Sequence, residues 1–343
     1  MSGGRTAGRQ AGKTAGEPVL ANILHVANGD SSAGTLRLAG LPGTVAVWAD
    51  VLHEGPVPPD DDMEAWLDVR SRFHAGPVYS YDDAMALGTQ WQRDLESFRE
   101  YDELLFWFEH DLFDQLLLIR HLAWLDRQKP ARTRVTLICI GAFPGVPRFI
   151  GLGQLTPDQL ATLYPTRREV TAGQLALGRR AWAAFTGSDP TALAALAVDH
   201  PELPFLGPAL RRFLEEYPAA RNGLPRTERQ VLQALEAGLL SPGRLYLRSQ
   251  EPEEARFLGD STLWERVKEL GSEPNPLVRL DVAPRPGQLP EGTVTLTEAG
   301  RAVVKGTVDW AELHRLDRWY GGVHLESDRA HWRWNGRELV LRR

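Results

Sequence analysis

The sequence predicts an α/β fold: a doubly wound, mostly parallel sheet, followed by a helical subdomain and a winged-helix-like C-terminal region. Three observations point there. Four β-rich runs (Ile23–Ala27, Thr44–Trp48, Leu104–Phe108 and Arg134–Ile140) alternate with helical stretches, the order of a parallel sheet with crossover helices. The run Leu104–Phe108 has strand length and meets Glu109-His110-Asp111. An apolar stretch of helix length, Leu112–Leu125, follows without Gly or Pro. From Asn222 the order becomes helix, helix, strand, loop, strand, which is that of a winged helix.

The expected division is a disordered tail over 1–20, a Rossmann-like α/β domain over 21–150, a helical subdomain over 151–220 and the winged-helix-like region over 221–343. The tail, MSGGRTAGRQAGKTAGEP, is rich in Gly, Ala, Arg and Lys and lacks the apolar core of a secretory signal. After the first strand, Asn28-Gly29-Asp30-Ser31-Ser32 leads into a short helix over 33–39. The second strand ends at Asp50 and passes through His53-Glu54-Gly55-Pro56 to Asp60-Asp61-Asp62, which can cap a helix over Met63–Phe73. Asp82–Arg99 is a further helix.

In the middle region, Thr156-Pro157 starts a helix with Pro at its first position, and Thr171, Asp189-Pro190 and Pro204 start others. Beyond Asn222, helices open at Thr227 and at Gly259-Asp260-Ser261-Thr262, Leu277–Val282 is strand-like, and Pro284–Gly292 reads as a loop. Thr293–Gly306 reads as a strand turning into a helix capped at Thr297. Asn335-Gly336 between two alternating runs signals a type I′ hairpin.

Composition narrows the classes. Of 343 residues, 43% are hydrophobic and 24% charged, as in an ordinary soluble globular protein. The net charge of −6 gives no whole-chain argument for nucleic acid or anionic membrane. A single cysteine, Cys139, excludes a disulfide framework and a Cys-based zinc site, and suits a reducing cytoplasm, the location expected. No apolar run reaches the roughly 18 residues that span a bilayer.

In a parallel sheet with right-handed crossovers all strand C-termini share one edge, where open α/β sheets bind ligands. That edge would gather Asn28, Asp30 and Ser31; Asp50, His53 and Glu54; Glu109, His110 and Asp111; and Gly141. Asn28 and Gly29, with Asp114 and Gln115 of the helix after Asp111, are the expected ligand-binding residues. His25, Asp30, Ser31, Asp50, His110 and Asp111 are the candidates for chemistry. Each has a plain alternative. Gly29-Asp30-Ser31 is either a nucleophile or phosphate turn or an Asp/Ser helix cap, the explanation that suits Gly259-Asp260-Ser261. Asp111, three residues before Asp114, has the spacing of a capping box. Gln115, Arg120, Arg70 and Arg72 read equally as solvated helix positions. A metal would draw on His25, Asp50, His53, Glu109 or His110, without a recognised ligand spacing. No Gly-x-x-x-x-Gly-Lys or Gly-x-Gly-x-x-Gly run names a cofactor.

The stretches HVANGDSSAGTLRLAG, WADVLHEGPVP, WFEHDLFDQLLLIRHL, LPFLGPALRRFLEEYPAARNGLPRTERQVLQAL and DRWYGGVHL…WRW resemble a bacterial family with an N-terminal domain of unknown function 1835 and a companion uncharacterised C-terminal domain. The positions that look shared are His25, Gly29, Asp30, Ser31, Asp50, Gly55, Pro56, Trp107, Asp111, Asp114 and Gln115. The resemblance implies a grouping and no activity.

The expected function is binding of a small anionic ligand, nucleotide or phosphorylated, at the sheet edge, with hydrolysis an option that binding does not require. Two alternatives stand beside it. One is a regulator binding DNA through residues 221–343, where 19 Lys+Arg against 18 Asp+Glu is a weak basic excess and also fits a protein-interaction or dimerisation module. The other is a Gly-Asp-Ser serine hydrolase, for which Asp309…His314 has the wrong spacing to supply an Asp-x-x-His.

Overall fold

The computed structural model describes residues 22–76, 79–130, 132–327, 329 and 331–342; the tail expected over 1–20 lies outside the described residues. The chain opens with β1 (Ile23–Ala27), α1 (Asp30–Leu38), β2 (Thr44–Val47), α2 (Met63–His74), α3 (Tyr81–Glu96), β3 (Glu103–Glu109), α4 (Leu112–Gln128) and β4 (Arg134–Ile140). These four strands form a parallel array in the order β2-β1-β3-β4, and the two-residue β5 (Arg168–Glu169) adds an antiparallel edge. Ala27 pairs with both Val47 and Trp107, so the strand ends do lie along one edge.

Strand side chains alternate between two cores. Ile23, Ala27, Leu105 and Trp107 face α1 and the segment around Leu152–Leu163. Leu24, Val26, Leu104, Phe106 and Phe108 face α4 and the helices behind it. α4 lies between that face and α6 (Ala172–Thr186). It is apolar around most of its circumference because thirteen of its residues are buried, each Leu contributing roughly 1.5–3 kcal/mol relative to exposure. Arg120 is buried too. It stacks 4.2 Å from the Trp48 ring and donates to Gln92 Oε1 at 2.8 Å, so the solvated alternative does not hold for it.

The middle of the chain splits between the two faces. α5 (Pro157–Ala161) covers the α1 side, while α6, α7 (Pro190–Ala194) and α8 (Leu206–Leu214) cover the α4 side. The caps at Thr156 and Thr171 form full capping boxes with Gln159 and Gln174. One hydrophobic core continues from the α4 face into the C-terminal region.

That region holds α9 (Arg226–Ala234), α10 (Pro242–Ser249), α11 (Asp260–Leu270), β6 (Val278–Arg285), β7 (Gln288–Leu296), α12 (Glu298–Lys305), α13 (Trp310–Leu313), β8 (Asp317–Tyr320), β9 (Val323–Glu326), β10 (His331–Trp334) and β11 (Leu339–Arg342). Its strands form three antiparallel hairpins. The expected loop over Pro284–Gly292 is instead drawn into the β6–β7 hairpin, which closes at Pro286-Gly287. The expected Asn335-Gly336 two-residue turn is a four-residue loop. Gly336 alone of the pair has positive φ, whereas a type I′ turn needs two such residues, and Asn335 Oδ1 accepts from Arg337 N and Glu338 N. Among the described residues no helix is long and apolar enough to cross a membrane.

Candidate functional site

The strand order reverses between β1 and β3, so the crevice of the sheet opens where Asn28 follows β1 and Glu109 ends β3. The two meet. Asn28 Nδ2 donates to Glu109 Oε1 at 3.1 Å and to both Asp114 oxygens at 2.9 and 2.8 Å, while Ser32 Oγ donates to Asn28 Oδ1 at 2.5 Å. Asp111 caps α4 by accepting from Asp114 N at 3.0 Å, as its spacing predicts. The return half of the box is altered: the Asp114 carboxylate accepts from Glu109 N at 2.8 Å rather than from the capping residue. Gln115 Nε2 donates to Glu109 O at 2.6 Å and so ties the end of β3 to α4. Leu152 N donates to Glu109 Oε1 at 2.6 Å. The backbone closes over Glu109 this tightly because residue 151 is glycine: φ there is 155°, and an added Cβ would lie 2.5 Å from Glu109 Oε2.

Glu109, Asp111 and Asp114 thus form a buried group of carboxylates within 4.8 Å of one another. Among the described residues no basic side chain pairs with them; their partners are Asn28 and backbone N–H groups. Burial, then the neighbouring Glu109, pushes Asp111 up to about 8. Burial, then Asp111 and Glu109, holds Asp114 well above the usual carboxylate range, and burial raises Glu109. The group can hold shared protons or a cation.

Beside this cluster the same edge carries a cavity of about 290 Å³. Asp30 of the first turn of α1 and Asp50 beyond β2 both line it. Asp50 is 3% exposed and accepts from Arg70 Nη2 at 2.6 Å, Arg70 Nε at 2.9 Å and His74 Nε2 at 2.7 Å. Burial alone would raise the Asp50 carboxyl, but Arg70 and His74 outweigh it and hold the group well below the usual range. Arg70 is therefore not on a solvated face. It also donates to the carbonyls of Val51, Glu54 and Pro56, fixing the loop after β2. Arg72 does take the solvated position, paired with Asp68.

Three tryptophans, Trp48, Trp66 and Trp91, also line it, among aliphatic residues such as Val51 and Leu67. None of these three tryptophans, nor His74, stood out in the sequence. The only available signal was the spacing of Arg70 and His74, one helical turn apart on a helix that follows a strand-end aspartate.

α1 begins differently from the expectation. Gly29 is its N-cap and no side chain caps it; Asp30 is its first helical residue. Gly259 plays the same uncapped part for α11, so neither Gly-Asp-Ser is an Asp/Ser cap. The first N–H groups of α1 stay open to solvent or a ligand, and a Cβ on Gly29 would meet nothing within 4 Å.

The other candidates lie elsewhere. His25 sits mid-strand, 1% exposed, with Trp107 Nε1 donating to its Nδ1 at 3.0 Å and Pro42 O 2.9 Å from its Nε2. An indole N–H only donates, so Nε2 carries the proton and both ring nitrogens are used. His110 turns away to Phe149 and Phe205, lining a separate cleft with Arg211 and Arg212. Ser31 Oγ lies against Gly153, and among the described residues no histidine pairs with it. His53 is buried against Phe113 and Phe257, pushed down to about 3 by burial and then by Arg266. The edge therefore unites Asn28, Glu109, Asp111, Asp114 and Gln115 in one group, and Asp30 with Asp50 in the cavity.

No family model matches this chain, and no curated protein matches it.

Proposed function

We propose that the α/β domain binds a small ligand with an anionic group, of nucleotide or phosphorylated-metabolite type, at the C-terminal edge of its sheet. The observation that carries this is the cavity lined by Asp30 and Asp50, which places a concave, largely apolar volume beside the uncapped start of α1. The open N–H groups and the helix dipole favour the anionic group there, and Gly29 leaves the approach clear. His74, whose side chain is 31% exposed, lines the cavity at the rim with its Nε2 donating to Asp50, which leaves its other ring edge within reach of a ligand. Asp50 and Arg70 neutralise one another and hold the wall. With no histidine on Ser31, the arrangement supports binding rather than serine-based hydrolysis.

The C-terminal region would answer to the ligand. A winged-helix-like arrangement of α9, α10 and α11 before the β6–β7 hairpin is supported by the bridge from Leu240 to Val294, which adds a short third strand position. Arg266, a base on α11 of that arrangement, is 5% exposed and donates to Glu54 and Glu228 at 2.7 Å each. That helix is docked on the loop that follows β2, which favours an internal relay over phosphate contact.

A thermal-shift screen of nucleotides and phosphorylated metabolites, with and without Mg²⁺, tests the reading. Ligand at about 100 times Kd should stabilise by about 2.7 kcal/mol, a rise of several degrees. Gly29→Leu should abolish the shift without unfolding the chain, since the backbone there is extended and the space open. A hit that survives Gly29→Leu and Asp30→Ala places the ligand elsewhere.

A further inference from the structure

We infer that His74 is a general base of the cavity beside α1, oriented by Asp50, and that it activates a water for hydrolysis of a phosphate monoester held there; this rests on the edge-binding reading above and names a reaction that reading leaves open.

The position of the ring proton follows from the neighbours. His74 Nε2 lies 2.7 Å from Asp50 Oδ1 and 3.4 Å from Arg70 Nη2. Both N–H bonds of that Nη2 are already spent, on Asp50 Oδ1 at 2.6 Å and on the Val51 carbonyl at 3.1 Å. Arg70 therefore has no hydrogen left for the imidazole. A ring nitrogen 2.7 Å from a carboxylate oxygen needs a proton between the two atoms, so Nε2–H donates to Asp50. In the neutral ring the lone pair then sits on Nδ1. Among the described residues Nδ1 has no hydrogen-bond partner. The side chain is 31% exposed and belongs to the cavity lining.

The ring is also held in direction. Asp50 is 3% exposed and fixed by two bonds from Arg70, which in turn binds the carbonyls of Glu54 and Pro56. Phe73 meets the imidazole near its edge, 5.1 Å between centroids at 65°. Because Arg70 answers the charge of the carboxylate, the part of Asp50 toward His74 is to fix the tautomer and the aim of the lone pair. A base whose other nitrogen is oriented by a buried acceptor is the arrangement that catalytic proton transfer uses. Asp50 and Arg70 are positioning residues in this scheme.

The same lining carries Asp30, whose helix opens with free N–H groups that suit phosphoryl oxygens. The volume of about 290 Å³ lies at the low end of small-molecule sites, roughly 300–1,000 Å³, and admits one phosphorylated metabolite. In the step, a water oxygen forms a bond to phosphorus while the bond from phosphorus to the ester oxygen breaks. The proton of the water passes to His74 Nδ1. The imidazolium returns it to the departing alkoxide, directly or through solvent. Ester and water become alcohol and inorganic phosphate, and nothing is oxidised or reduced.

A panel of nucleoside 5′-monophosphates, ribose 5-phosphate and glucose 6-phosphate tests this on the full chain, with and without Mg²⁺, by thermal shift and by release of inorganic phosphate. At least one compound that stabilises the parent should be hydrolysed. His74→Gln, whose amide can still donate to Asp50, should keep most of the thermal shift and lose about 100- to 10,000-fold in rate. Imidazole added to His74→Ala should restore part of the turnover, a response that a merely structural histidine would not give. In alkaline buffer the ¹⁵N spectrum of His74 should show the Nε2–H tautomer. If a compound stabilises the parent and no phosphate is released, or His74→Gln works at the parent rate, the base assignment falls and edge binding stands. An Nδ1–H tautomer overturns it as well. If turnover depends on His74 and survives Gly29→Leu, the chemistry stands and the phosphate place at α1 falls. If nothing in the panel binds or turns over, both fall.

Discussion

Two of the buried charged groups among the described residues are balanced in opposite ways. At the sheet edge Glu109, Asp111 and Asp114 share one small volume with neutral donors from Asn28 and the backbone. At the seam with the C-terminal region, carboxylates alternate with guanidiniums. Arg212 pairs with Glu216 and Glu253, Arg266 with Glu54, Glu216 and Glu228, and Arg318 with Glu228 and Glu269. Burial pushes carboxyls upward in both places. At the seam Arg212 and Arg266 overrule it and bring Glu216 down to about 2, whereas at the edge nothing does and Asp111 rises to about 8. Burial thus sets the stakes and the neighbouring charge sets the outcome. The seam is held by its ion pairs, whereas the edge holds carboxyls that burial and their like neighbours raise.

The largest effect expected of a single change is at the seam. Arg266→Met leaves Glu54, Glu216 and Glu228 short of their shared cation, and should cost about 3–5 kcal/mol in urea denaturation at pH 7. Next comes Arg70→Ala, which strips Asp50 of its main partner and frees the loop after β2. A loss of about 2–3 kcal/mol is expected, with His74 retaining part of the contact.

The pH dependence separates the two groups by sign. The folded-state pKa of Glu216 is depressed, so its contribution is present above its unfolded value and fades as pH falls toward about 2. That of Asp111 is raised, so its contribution is complete below its unfolded value and is lost as pH rises through about 8. Denaturation from pH 4 to 9 should therefore show stability falling from about pH 4 onward and levelling off above about 8. Asp111→Asn, which keeps the helix cap, should make that fall shallower by at least about 1 kcal/mol across the range. A fall unchanged in this variant would remove Asp111 from the explanation. Gly29→Leu replaces the N-cap glycine of α1 and should cost only about 1 kcal/mol although ligand binding is lost.

Much of this was legible in sequence because strands and caps are local. Ile23–Ala27, Leu104–Phe108 and Arg134–Ile140 are apolar runs of strand length, and Asp111 announces itself as a cap by its position before an uninterrupted helix. Parallel pairing then brings Asn28 to Glu109 with no further information. The arginines were not legible in the same way. Arg70, Arg120 and Arg266 each look like a solvated helix position, and only partners far along the chain make them interior: Asp50 for Arg70, Gln92 for Arg120, and Glu54, more than two hundred residues away, for Arg266. The tryptophan walls were hidden for the same reason. Trp48, Trp66 and Trp91 come from a strand end and two helices, and only the packing of α2 and α3 makes them one surface. His25 misled in the other direction: a histidine near a strand end looks chemical, yet its ring nitrogens are spent on Trp107 and Pro42.

The most direct measurement is a crystal structure of the full chain with the tightest-binding nucleoside 5′-monophosphate. The phosphate should lie against the N–H groups of Asp30, Ser31 and Ser32, with the rest of the ligand in the cavity lined by Asp30, Asp50 and His74. Density for the ligand in the cleft lined by Trp310, His314 and Arg315, or anywhere but the edge between α1 and the loop after β2, would contradict the assignment of this edge as the binding site.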